Sequence, residues 1–240
     1  PALSGMRRGV HAASSPPGII WHIAMPWDLI ATASHADAHL ELYRKDGVFM
    51  IRADGLELMN GFTHESETEF GRLAAELSPC EQPRILVGGL GLGYTVAALM
   101  AALGDRGEVT VAEFSPAVIG WFHEYVRPSV LPEMPTNLQI FETDVLAHLW
   151  GAARYDLILL DVDNGPEPLT REDNAALYSA EGLRVLRAGV GDGGAVLLWS
   201  GFESSDFESR AAATGFAVTR RAIANGRRTD LDHHIYILRT

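Results

Sequence analysis

Carboxylates close three strand-like stretches of this sequence, and a glycine cluster closes a fourth. The apolar run RILVG (84–88) passes through Gly88, Gly89, Gly91 and Gly93 into a helical pattern, VTVAE (109–113) ends in Glu113, LQIFETD (138–144) ends in Asp144, and YDLILLDVD (155–163) ends in Asp161 and Asp163. Glycines between a strand and a helix let backbone approach a ligand closely at a helix N-terminus, so the first stretch suits a nucleotide-like ligand. A dinucleotide fingerprint would continue with glycine at the sixth position, but from Gly89 the series runs Gly89, Gly91, Tyr94. Glu113 follows at about the 20-residue interval at which a carboxylate accepts from both hydroxyls of a ribose. Asp161 and Asp163 share a face if the strand stays extended, and two close carboxylates hold an amine, bind a metal, or act as a general base with one pKa raised. A metal is the poorer reading, because no histidine or further acid lies nearby in sequence. Plainer roles compete for two of these acids: Asp144 also reads as the N-cap of a helix starting at Val145, and Asp163 or Asn164 as a turn stabiliser.

The elements that must position these groups are read from periodicity. Between residues 39 and 60, short strand-like runs are broken by Asp46-Gly47 and Asp54-Gly55, a hairpin signal. A helix over 65–77 leads to the strand at 84–88. Strand and helix then alternate: helix 93–104, strand 108–113, helix 116–125, strands 138–142 and 155–161, helix 171–187, strand 194–200, helix 206–214, and strands near 216–222 and 233–239. That alternation predicts an α/β protein with a mostly parallel sheet and helices on both faces. Ser115-Pro116 marks one helix start, and Thr170 with Asp173 and Ser205 with Glu208 have capping-box spacing. The chain divides into an arm over 1–30, a small antiparallel β-region over 31–62 and a catalytic domain over 63–240.

Composition narrows the partners. The chain has 240 residues, 47% of them hydrophobic, and 19 Lys and Arg against 31 Asp and Glu give a formal charge of −12. Such a charge repels phosphate backbones and anionic membranes, so neither nucleic acid nor membrane is expected as a partner. A single cysteine, Cys80, leaves no internal disulfide framework and fits a cytoplasmic protein. His233-His234 are strand neighbours that face opposite sides, so one ion rarely sees both. Trp199, Ser200 and Phe202 read as strand-end packing or the wall of an acceptor pocket. His64, beside Glu65, reads as a candidate base.

The triplet Gly89-x-Gly91-x-Gly93 resembles the nucleoside loop of class I S-adenosylmethionine-dependent transferases. The longer series of Asp-Gly hairpins, GGLGLG, VAEFSP, ETD, YDLILLDVDNGP and LYSAEGLRVLRAGVGDGG resembles the spermidine synthase family of aminopropyltransferases over roughly residues 39–200. The resemblance implies a seven-stranded Rossmann-like methyltransferase sheet, a homodimer, and S-adenosylmethionine or its decarboxylated form as cofactor, bound by Gly88, Gly89, Gly91, Gly93, Glu113 and Asp144. It also implies a catalytic base at Asp161, with Asp163 beside it, acting on a small-molecule acceptor such as an amine. Three departures bear on polyamine chemistry. Gly91 stands where the family has an acid gripping the cofactor's primary amine, the family's second motif acid has become Asn164 or moved to Asp163, and its tyrosine-histidine pair falls on Glu69 and Phe70. Glu65, Glu67, Glu69 and Asp163 can replace the missing acids, or the glutamates simply favour a helix dipole. Methyl transfer is slightly favoured over aminopropyl transfer, and a noncatalytic nucleoside-binding protein is the reading from a different class.

Overall fold

The computed structural model describes residues 26–35, 38–150, 154–162, 165–166, 174–225 and 228–240. The first four strands, β1 (Asp28–His35), β2 (Ala38–Lys45), β3 (Val48–Ala53) and β4 (Leu56–Asn60), form an antiparallel sheet in sequence order. Both Asp-Gly pairs are its turns: Asp46 and Gly47 have φ of 51° and 81°, and Asp54 and Gly55 have 49° and 80°. Two successive positive φ values make the primed turn whose twist matches the flanking strands, and aspartate and glycine tolerate them best. β1 begins at Asp28, inside the stretch read as an arm. Its pairing shifts register between Leu29 and Ala31, which blurs the alternation that would have revealed it.

Helix α1 (Glu65–Glu76) then leads into the larger unit. Its strands are β5 (Arg84–Gly88), β6 (Glu108–Glu113), β7 (Leu138–Glu142), β8 (Tyr155–Leu160), β9 (Val190–Ser200), β10 (Ala217–Asn225) and β11 (Arg228–Arg239). They form one seven-stranded sheet in the order β10-β11-β9-β8-β5-β6-β7, parallel except that β11 runs antiparallel to both of its neighbours. The α/β reading and the mostly parallel sheet hold. The helices are α2 (Tyr94–Leu103), α3 (Pro116–Trp121) running through a π-helical turn at Phe122–Val126 into α4 (Arg127–Val130), α5 (Val145–Leu149), α6 (Asn174–Leu177), α7 (Ala180–Gly189) and α8 (Ser205–Ala213).

Several boundaries move. The helix expected over 171–187 is broken, because Ser179 caps α7 by accepting from Gly182 N while its hydroxyl donates to Ala176 O. Ser204, not Ser205, caps α8, accepting from Phe207 N. Ser115 caps α3 with Pro116 in its first turn, as its sequence predicts. The Thr170–Asp173 pair lies outside the described residues.

Strand alternation splits the core in two. Ile85, Val87, Val109, Val111, Leu157, Leu159, Ala195 and Leu197 face one cluster, which they share with α1, α2 and the inner face of the small sheet at Leu40, Leu42, Phe49, Ile51 and Ala53. Leu86, Ile158, Leu160, Val196 and Leu198 face the other, against α5, α7 and α8. The small sheet thus covers the same face toward which Glu113 and Asp161, each two residues beyond a member of the first cluster, are directed.

Candidate functional site

β5 pairs with β6 on one side and β8 on the other, so chain connections leave it in opposite directions. Ligands of open α/β sheets bind at the carboxyl ends of such strands. Here a cavity of about 480 Å³ opens there. Its wall takes in Gly89 and Gly91 after β5, Glu113 to Ser115 after β6, Thr143 to Leu146 after β7, Asp161 and Val162 after β8, and Trp199 in β9.

The loop after β5 has the shape that a close ligand contact demands. Gly89 has φ +91°, and a Cβ there would lie 2.2 Å from Asp161 O. Only glycine meets both conditions. Gly93, at φ +81°, packs under Phe122, and a Cβ on Gly88 would lie 2.7 Å from Val145 Cγ2. These two glycines shape the loop from behind, and the cavity wall takes only Gly89 and Gly91 of the four predicted there.

Glu113 is anchored at both oxygens, accepting from Leu90 N at 2.8 Å and from Ser115 N at 2.8 Å. Burial raises its pKa, and the backbone N–H groups of Ser115, Leu90, Gly91 and Phe114 act against that rise. The amides of Leu90 and Ser115, one on each oxygen, fix the orientation of this carboxylate at the cavity wall. Asp144 is the N-cap of α5. One oxygen caps α5 by accepting from Ala147 N at 2.9 Å, and the residue also lines the cavity.

Asp161 stands half-buried just past the end of β8, its Oδ2 accepting from Thr95 Oγ1 at 2.6 Å. Its pKa is pushed up to about 7, first by burial and then by the nearby negative charge of Glu67, with the Thr95 bond opposing. Glu67 is the acid that sequence reading left within a cluster. It is only 8% exposed and lines the same cavity. Burial raises its pKa, against the Ser66 hydroxyl, which donates to Oε2 at 2.5 Å. Thr95 Oγ1 also lies 3.3 Å from Glu67 O, so one hydroxyl ties the end of β8 to α1. The other members of the cluster do not join: Glu65 is exposed, Glu69 pairs with Arg72 at 2.9 Å, and Asp163 lies outside the described residues.

Gly71 makes this convergence possible and carries no chemistry that sequence reading would notice. A Cβ there would lie 2.3 Å from Thr95 O and 2.8 Å from Leu99 N. The missing side chain lets α1 lie against the backbone of α2, and the backbone carbonyl of Glu67, one turn earlier, comes within 3.3 Å of Thr95 Oγ1. One turn of α1 further on, Phe70 is fully buried in the core, so neither position matched to the family's tyrosine-histidine pair reaches the cavity. His64 instead stacks on Tyr94, with centroids 3.9 Å apart and planes 1° from parallel.

The roof comes from the small sheet: Ala38 and Leu40 of β2, Ile51 and Ala53 of β3, Leu58 and Met59 of β4. Met59 is the second residue that sequence reading missed. Its Sδ accepts from Leu92 N at 3.0 Å, and a Cβ on Gly91 would lie 2.4 Å from that sulfur. A thioether therefore fills the space that a side chain at position 91 would need. Trp199 both packs in the core and lines the cavity, whereas Ser200 is fully buried and bonded to Phe202 O at 2.7 Å. Among the described residues no group of three or more His, Cys, Asp or Glu is arranged to hold a metal ion.

No family model matches this sequence, and no curated protein sequence matches it. Solved structures do. A spermidine synthase from Thermotoga maritima superposes with a TM-score of 0.69 at 11% identity, over 89% of this chain and 73% of that one. A spermidine synthase in complex with the transition-state analogue AdoDATO superposes with a TM-score of 0.68 at 12% identity, over the same shares. The fold is thus similar to that of these spermidine synthases: a seven-stranded, mostly parallel sheet with a small antiparallel sheet beside it.

Proposed function

We propose that the protein is a transferase that takes an alkyl group from S-adenosylmethionine or its decarboxylated form and places it on a small-molecule acceptor. The observation that carries this reading is that the glycine loop, Glu113, Asp144 and Asp161 open on one cavity at the switch point of the sheet. The residues present fit the cofactor: Gly89 leaves its backbone bare toward the cavity, Glu113 is oriented for a ribose diol, and Asp144 stands beside it for the base. When bound, the sulfonium supplies an electrophilic carbon with a neutral thioether as leaving group. Asp161 holds a proton acceptor on the same cavity, and its pKa near 7 suits a general base at neutral pH. Thr95 orients that carboxylate.

Methyl transfer is favoured by Met59 over Gly91, which removes the acid that would grip a primary amine and leaves no room for one. Aminopropyl transfer is favoured by the fold, shared with a spermidine synthase that binds AdoDATO. The reading extends to a cytoplasmic homodimer, supported by the exposed Cys80 and by the family resemblance respectively. Glu113→Gln tests it directly. Losing charge-assisted bonds to a diol, each worth roughly 1.5–3 kcal/mol, should weaken nucleoside binding about tenfold or more. Unchanged affinity for S-adenosylhomocysteine would remove Glu113 from the nucleoside site.

A further inference from the structure

We infer that His64 and Tyr94 are positioning residues for Asp161, and that His64 acts through its stacked ring rather than as a proton acceptor. This goes beyond the transferase reading above and rests on it only in calling Asp161 the base. His64 is the N-cap of α1 and Tyr94 the first residue of α2, so their stack, with centroids 3.9 Å apart and planes 1° from parallel, joins the starts of the two helices. Both rings are held from behind. His64 Nδ1 lies 3.1 Å from Thr68 Oγ1, one turn on in α1. The Tyr94 hydroxyl fills the notch at Gly61, where a Cβ would lie 2.3 Å from it. Between Gly61 and His64 the chain turns under Asn60 Oδ1, which accepts from Phe62 N at 3.0 Å and from Thr63 N at 3.2 Å. The cavity wall takes in Glu67 and Asp161 but neither ring, so His64 has no place in it from which to take a proton.

The neighbours of the stack are the groups that surround Asp161. Thr95 directly follows Tyr94 and donates to Asp161 Oδ2 at 2.6 Å, and its hydroxyl lies 3.3 Å from the backbone carbonyl oxygen of Glu67, in the first turn of α1. The ring stack and the Thr95 hydroxyl therefore tie the start of α1 to the start of α2 at two places. Burial and the nearby Glu67 charge, the two causes that raise the Asp161 pKa, both depend on α1 lying against α2 there, and the Thr95 bond opposes them. Glu67 in turn feels the charges of His64 and Glu65. The titration of Asp161 thus reports whether the contact holds, provided that the His64 ring is separated from the His64 charge.

Two substitutions make that separation. His64→Phe keeps a flat ring on Tyr94 and loses both the charge and the Thr68 contact, whereas His64→Gln keeps a group able to reach Thr68 and loses the ring. The Asp161 carboxyl is followed by carbon NMR in protein labelled at the aspartate carboxyls, its resonance assigned by its absence from Asp161→Asn. The midpoint in His64→Phe should match the parent, and in His64→Gln it should fall by about half a unit or more toward the ordinary aspartate range. Tyr94→Leu should move it likewise, and the double variant His64→Gln with Tyr94→Leu no further, because both changes remove one contact. A midpoint unmoved or raised in His64→Gln overturns the inference even where the melting temperature falls, since the stack then serves stability alone. A His64→Phe midpoint displaced as far as that of His64→Gln overturns it too, because the charge or the Thr68 contact then acts in place of the ring. If His64→Gln does not fold, Tyr94→Leu carries the same two outcomes. The transferase reading fails separately: S-adenosylhomocysteine without affinity for the parent protein defeats that reading and leaves the Asp161 titration standing.

Discussion

Asp161 is placed where an apolar strand gives way to the cavity, and its environment makes two consequences measurable. In the proposed role of general base, with a pKa near 7, it should impose an ascending limb on the pH profile of kcat/KM around that value. Asp161→Asn should lower turnover at least about a hundredfold and abolish the limb, the scale usual for a positioned base. Full turnover in that variant would show that another group takes the proton. The second consequence concerns stability. The folded pKa lies above the ordinary aspartate value of 3.8, so the folded state binds more protons between about pH 4 and pH 7, and stability falls as pH rises through that window. Asp161→Asn should flatten this decline and stabilise the protein at pH 8 by roughly 1–4 kcal/mol, with little effect at pH 4. Glu67, raised by burial, shifts stability in the same direction. Thermal melts of both proteins across pH 4–8 provide the check, and parallel curves would mean that Asp161 titrates normally.

Among the elements, the contact between α1 and α2 decides whether the two acids meet. Gly71→Ala would place a methyl group 2.3 Å from Thr95 O, backbone that cannot move aside cheaply. Overpacking of this kind destabilises by about 1–3 kcal/mol. The variant should also lose the coupling between Glu67 and Asp161, so its pH-rate limb should move toward lower pH. An unchanged limb and melting temperature would show that the close approach does not matter. The loop after β5 offers a test of cofactor choice. Position 91 has φ +50°, which aspartate tolerates, as Asp46 and Asp54 do at 51° and 49°. Its obstacle is the Met59 sulfur. Gly91→Asp alone should bind poorly, whereas Gly91→Asp with Met59→Ala should shift preference toward the decarboxylated cofactor by roughly tenfold, the scale of one charge-assisted bond. No shift in the double variant would show that position 91 does not face the cofactor's amine.

How far these features were legible in the sequence depends on the range of the contact behind each. Glu113 and Asp161 were legible because period-two alternation in an apolar strand fixes the face of the residue that follows it. The Asp-Gly turns and the Ser115 cap were legible because their chemistry is local. Glu67 was visible only as one of several glutamates, since its place depends on Gly71 meeting Thr95, 24 residues away in the chain. Met59 carried no signal at all, because its contact with Gly91 exists only once the small sheet folds over the large one.

For the whole molecule, the arrangement amounts to a glycine loop at the switch point of a seven-stranded sheet, roofed by a second sheet whose inner face is apolar. The roof joins the main core through Leu40, Phe49 and Ile51, so it belongs to the same packed unit as α1 and α2. A fold shared with spermidine synthases and a cavity altered at Gly91, Met59 and Glu67 together predict a nucleoside site with its own cofactor preference. The decisive measurement is calorimetric binding of S-adenosylmethionine, decarboxylated S-adenosylmethionine and S-adenosylhomocysteine to the purified protein. The account predicts that S-adenosylmethionine and S-adenosylhomocysteine bind, and that the intact cofactor binds at least as tightly as its decarboxylated form. Preference for the decarboxylated form would restore aminopropyl transfer, and absence of binding by all three would contradict the cofactor site itself.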